Sequence, residues 1–155
     1  VQVDVKVAED TVKRFEASTV RSLELAQRAG QDAMAGEFQR CTLANFGPTG
    51  RYRPFEWEFL RSESYARKVK RPYATLFVDG NLKAAVRVEP TSGTGPARVV
   101  AKDSEVPYAT VHQYGGGNNI PARPYFPMSL DDEVVPEVAD RVQAAAEREL
   151  AKILS

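Results

Sequence analysis

The sequence is poor in the residues that carry out chemistry. Its 155 residues hold one cysteine, Cys41, which excludes an intrachain disulfide and most cysteine-based metal sites. They also hold one histidine, His112, which cannot supply the three or four ligands of a zinc centre even with a distant Cys41. No GxSxG elbow surrounds any serine, and Cys41 lies in a helical pattern with nothing nearby to activate it. A nucleophilic triad therefore has one imidazole to draw on and no poised partner. The triple glycine Gly115-Gly116-Gly117 lacks both the Lys-Ser/Thr of a phosphate loop and the GxGxxG spacing of a dinucleotide fold. Asp131-Asp132-Glu133 has neither the spacing nor the glycine of an EF-hand, although a carboxylate-only metal site stays open. No cofactor and no enzymatic activity are expected.

Charge of one sign and long apolar runs are missing as well. Lys+Arg and Asp+Glu balance at 21 each, so no global field points to nucleic acid, and a neutral chain has little protection against self-association. No apolar run approaches the roughly 20 residues of a membrane span, and VQVDVKV has no uncharged signal-peptide core. The expectation is a soluble protein made in a cytoplasm, with no membrane partner. A 43% hydrophobic content is enough to fill one core, so residues 1–155 are expected to form a single domain.

What is present is clear periodicity. Val1, Val3, Val5 and Val7 alternate with polar residues, a period of two that predicts a half-exposed strand whose partner lies either in the same subunit or in a neighbour. From about Asp10 to residue 44 the spacing becomes helical, with Gly30 and Gly36 making a bend or two consecutive helices as natural as one rod. NFGPTGRYRP breaks the pattern. Asp79-Gly80 marks a turn, with a short helical turn through Leu82 to Ala85. Residues 85–89 and 98–102 alternate around PTSGTGP and read as a hairpin. Val135, Val138, Val142, Ala146, Leu150 and Ile153 then step along one face of a terminal amphipathic helix that should begin near Glu133, with Pro136 in its first turn. The fold class is α+β: a small antiparallel or mixed sheet packed against a long N-terminal helical segment and a C-terminal helix.

The balanced charge is bipolar along the chain. Arg51, Arg53, Arg61, Arg67, Lys68, Lys70 and Arg71 stand among aromatics and only three acids, whereas residues 131–155 hold seven acids and three bases. The basic stretch suits either a surface facing DNA or an acidic partner, or a solvated face over an aromatic core. A basic middle meeting the acidic end of another copy would make a head-to-tail contact that closes into a ring.

The remaining stretch, YATVHQYGGGNNIPARPYFPMS, joins helical spacing at Tyr108, Val111, His112 and Gly115 to a proline-rich arm. His112 near the helix end is expected to be a hydrogen-bonded structural residue rather than a ligand. Pro121, Pro124 and Pro127 exclude a central strand, so the arm is expected to run extended over the surface, with Ile120, Tyr125 and Phe126 in pockets. Arg123, between Ala122 and Pro124, is suited to a bidentate contact with a carboxylate.

Tyr108, His112, Gln113, Tyr114, Gly115 and Gly116, followed by Pro121, Arg123, Pro124, Tyr125 and Phe126, resemble the YAxxHQxGG…IPARPF signature of bacteriophage virion-morphogenesis proteins, the tail-completion and neck proteins of Mu-like phages. A looser likeness extends over most of the chain: a helical first third, Pro48-x-Gly50, Trp57 and Asp79-Gly80-x-Leu82 before a hairpin. The insertion of RYRPFE before Trp57 and the longer glycine-asparagine turn depart from that pattern. The resemblance implies a structural virion protein, assembled in the host cytoplasm, that forms a ring, commonly a hexamer, at the head-proximal end of the tail. Its partners would be further copies of itself, the tail tube or sheath, neck or head-completion proteins, and DNA passing through the lumen without sequence-specific binding. The motif segment would pack between subunits, and the C-terminal helix would brace the sheet. A head-closure or other neck adaptor is the alternative, followed by a basic DNA-binding module.

Overall fold

A computed structural model describes residues 1–5, 20–47, 50–57, 81–90, 92, 95–117 and 120–155. The order of elements is β1 (Gln2–Val5), α1 (Val20–Ala44), α2 (Asn81–Ala85), β2 (Arg87–Glu89), β3 (Ala97–Val100), α3 (Ala109–Tyr114) and α4 (Pro136–Leu154). The architecture is α+β, as the periodicities predict. The parts of the first helical pattern before residue 20, and the Asp79-Gly80 turn, lie outside the described residues.

The three strands form one antiparallel sheet in the order β1-β3-β2. The N-terminal strand thus pairs within its own chain. Val3 stands opposite Val99, which stands opposite Val88, and this valine row packs into the core. The neighbouring row reads Asp4, Arg98 and Glu89, three side chains of alternating sign on the other face. There Asp4 pairs with Arg98 at 3.1 Å and Glu89 with Lys102 at 2.6 Å, while Arg87 meets Glu105 with both ends of its guanidinium. These solvated pairs set register more than they add stability.

α1 is one helix of 25 residues, about 38 Å long, that continues through Gly30 and Gly36. It is the central layer. Gln39 donates to the carbonyl of Val86 just before β2, whereas Glu37 takes Arg141 of α4 at 2.8 Å. Two residues along a helix are about 200° of rotation, so these contacts mark opposite sides of α1. Ala35, Phe38, Cys41 and Thr42 are buried between them.

The expected stripe of α4 is buried at Val138, Val142, Ala146 and Leu150, but the last member, Ile153, is exposed. Pro136 is the first helical residue, where its missing N–H costs nothing, so the helix starts three residues later than Glu133. α4 packs along α1, and α1 carries the sheet. The C-terminal helix therefore braces the sheet mainly through α1. Glu37 is the fastener between the helices: it is 2% exposed and binds both Arg141 and Arg40. A buried carboxylate with two guanidiniums is compensated; with none it would be costly.

Candidate functional site

The motif residues form one unit at the end of α1. Its first part is α3. Tyr108 offers no side-chain cap, and the Asp103 carboxylate instead accepts from the Thr110 amide at 3.0 Å and its hydroxyl at 2.5 Å. Those two donors hold the Asp103 carboxyl below the ordinary carboxylate range. α3 stops at Gly115, whose φ of 81° and ψ of 174° lie in a region essentially reserved for glycine. Its N–H closes the helix on the Val111 carbonyl at 2.8 Å. A Cβ there would also sit 3.1 Å from the Ile120 carbonyl oxygen, where the chain turns back.

The second part is the strap, residues 120–128. It does not run over the surface: Arg123, Pro124, Tyr125, Phe126, Pro127 and Met128 are all buried. The prolines explain why. An irregular segment is costly to bury because of its unpaired backbone donors, and each proline has none to satisfy. Several of the remaining groups find partners. The Arg123 amide donates to the His112 carbonyl at 2.7 Å, and the Phe126 amide to the Gln113 Oε1 at 3.0 Å. Trp57 donates its indole N–H to the Pro124 carbonyl at 3.2 Å, Asn45 its amide to the Tyr125 carbonyl at 3.0 Å, and Val135 its N–H to the Pro127 carbonyl at 2.9 Å. Tyr125 and Phe126 are fully enclosed and pack against Phe46 and Phe38, with ring centroids 5.6 and 6.0 Å apart, the first pair tilted and the second stacked. Burying a side chain such as Phe126 contributes about 1.5–3 kcal/mol.

Asn45 is the hub that the sequence reading missed. It directly follows α1 in the turn that ends the helix, and besides holding the strap it accepts the Tyr52 amide on Oδ1 at 2.9 Å. Its own carbonyl takes the Arg53 guanidinium at 2.7 and 3.1 Å. That guanidinium lies 3.5 Å from the Trp57 ring centroid, over Gly50, where a Cβ would collide with it. A signal did exist: Gln31, Thr42 and Asn45 are polar residues at the helical spacing of the apolar face. Such residues are expected to hold main-chain groups.

His112 is half-buried on α3, with the Tyr108 ring edge-on at 5.4 Å. The fastening runs through its backbone carbonyl, while Nδ1 is buried without a hydrogen-bond partner among the described residues. Burial, followed by the positive charge of Arg123, pushes the imidazole pKa below its ordinary value. Arg123 is 4% exposed, so the guanidinium suited to a partner carboxylate is already enclosed by its own chain. Tyr114 donates its hydroxyl to Asp132 at 2.6 Å, and burial with that neighbouring carboxylate pushes the phenol up to about 12. Gly116 bridges Ile120 and Pro121 is half-buried. Around this buried unit Tyr108, Tyr114, Ile120 and Leu130 remain exposed.

Of the basic stretch, only Arg51 and Arg53 belong to the described residues; Arg61, Arg67, Lys68, Lys70 and Arg71 lie outside them. Arg51 pairs with Glu137 of α4 at 2.6 Å, so the basic middle and the acidic end meet within one chain at that point. Arg53 is spent on carbonyls and the indole. Burial and Glu37 raise the Cys41 thiol, which keeps it protonated. Among the described residues no group of three His, Cys, Asp or Glu side chains could hold a metal ion, and no helix is long and apolar enough to cross a membrane.

Compared with family models, with curated proteins and with solved structures, the chain matches none.

Proposed function

We propose that this chain is a structural subunit of a bacteriophage virion that assembles as a ring, a hexamer by resemblance, at the head-proximal end of the tail. There it terminates the tube and joins the tail to the neck, and DNA passes through its lumen. Its work is assembly through shape and charge, without a catalytic step, and it is built in the host bacterial cytoplasm. The observation that carries this reading is the YATVHQYGG…IPARPYF wording, whose described residues are joined into one unit by hydrogen bonds between α3 and the strap. Four exposed apolar side chains around that unit, and a chain of zero net charge, suit protein contacts.

Negative-stain images of the purified protein, alone and mixed with tail tubes, test the reading. Rings that cap tubes at one end are the expected result. Rings that seat on portal complexes and ignore tubes would move the assignment to a head-closure adaptor. Monodisperse particles that bind neither would overturn it. The DNA-binding alternative predicts strong, salt-dependent binding of duplex DNA. The internal engagement of Arg51 and Arg53 speaks against those two residues as phosphate contacts.

A further inference from the structure

His112 is the chain's only imidazole, and its surroundings suit one protonation state. Neutral imidazole can present a bare lone pair at Nδ1, which costs less to leave uncapped than a buried charged donor does. Protonation puts a hydrogen on both ring nitrogens and turns Nδ1 into a charged, buried donor with no acceptor among the described residues. Among the described residues the neighbouring groups offer it no relief. The strap contributes the cation of Arg123, and the turn before α3 contributes the uncharged ring of Tyr108. Asp103, the acid of that same turn, is committed to Thr110.

The position of this imidazole matters as much as its environment. The His112 carbonyl receives the Arg123 amide, and the next residue, Gln113, receives the Phe126 amide. A charge placed here sits on the joint that ties the strap to α3. We propose that His112 is a proton-operated latch: the joint between α3 and the strap is closed while the imidazole is neutral and loosens when it is protonated. This inference is independent of the virion reading.

The direction of the effect follows from linkage. Burial and Arg123 depress the imidazole in the closed state, whereas an open state titrates near the ordinary value of about 6.5. Above that pH neither state is charged and the latch has no effect. As pH falls below about 6.5 the open state binds the proton first, and the closed-to-open ratio drops by up to about tenfold per pH unit until the closed state's own pKa is reached. Glu89, Asp103 and Glu105 are held below the usual carboxylate range, so their titrations fall at lower pH.

The chain contains its own reporters. His112 gives the only imidazole proton resonances, and Trp57, the only tryptophan, donates to Pro124 of the strap. The test titrates the full chain from about pH 8 to about pH 5 by proton NMR, Trp57 emission and urea unfolding, beside His112→Gln and His112→Phe. The imidazole should titrate below about 6.5, with Trp57 emission and the urea midpoint moving in step, and both variants should lose that response. An imidazole midpoint at or above the ordinary value, or a Trp57 response that survives in both variants, would refute the latch. Should neither variant fold, the NMR midpoint and the Trp57 response of the natural chain decide between these outcomes.

Discussion

Removing the Asn45 side chain should separate three segments at once. In Asn45→Ala the Tyr125 carbonyl loses its donor and the Tyr52 amide its acceptor, both inside the protein and both through contacts of 3.0 Å or less. Leaving one buried polar group unsatisfied costs about 1–3 kcal/mol. The carbonyl is the more forgiving of the two, so the sum should lie near 3 kcal/mol, a large share of the roughly 5–15 kcal/mol that holds a domain folded. Asn45→Asp is an informative second variant. It keeps the acceptor for Tyr52 but turns a carboxylate oxygen toward the Tyr125 carbonyl, so it should be at least as unstable as the alanine variant. Equilibrium urea unfolding followed by Trp57 fluorescence and by circular dichroism gives the measurement. The midpoint should fall at constant slope. A loss under about 0.5 kcal/mol in Asn45→Ala, the range of an ordinary surface substitution, would show that Asn45 is no hub.

Gly115→Ala should destabilise by about 1–3 kcal/mol, because the backbone conformation is reserved for glycine and the new Cβ crowds the Ile120 carbonyl; a thermal melt matching the natural chain would contradict this. Gly36→Ala should do the opposite, raising stability by about 0.5–1 kcal/mol, since the position is inside α1 and an added Cβ meets nothing within 4 Å; a lower melting temperature would count against it. Asp103 is depressed by its bonds to Thr110, so its contribution is present above the unfolded pKa of about 3.9 and lost as pH falls through the lower folded value. Asp103→Asn should therefore be less stable than the natural chain at neutral pH and converge with it in acid, as acid and urea titrations would show. Leu150→Ala, at a position of α4 that is 2% exposed, should cost about 2–5 kcal/mol in urea unfolding, and a value under about 1 kcal/mol would mean that this end of the helix is not packed in the folded chain.

The sequence by itself determined the local elements. A period of two over the first valines, a three-four stripe through Val138 and Leu150, a glycine after six helical residues and a turn-rich break between two alternating runs each name their structure, because backbone geometry sets those periods. It also showed that 108–129 is unusual. Tertiary structure decided the rest: that β1 adds to β3, that α1 lies between sheet and α4, and that the proline-rich strap is buried. The physical reason is range. The bonds that bury the strap join Asn45 to Tyr125 across 80 residues and Trp57 to Pro124 across 67, and no local period encodes which buried carbonyl a distant amide will satisfy. Prolines exclude a central strand equally well from a surface arm and from a buried one; packing against Phe38 and Phe46 selects the second.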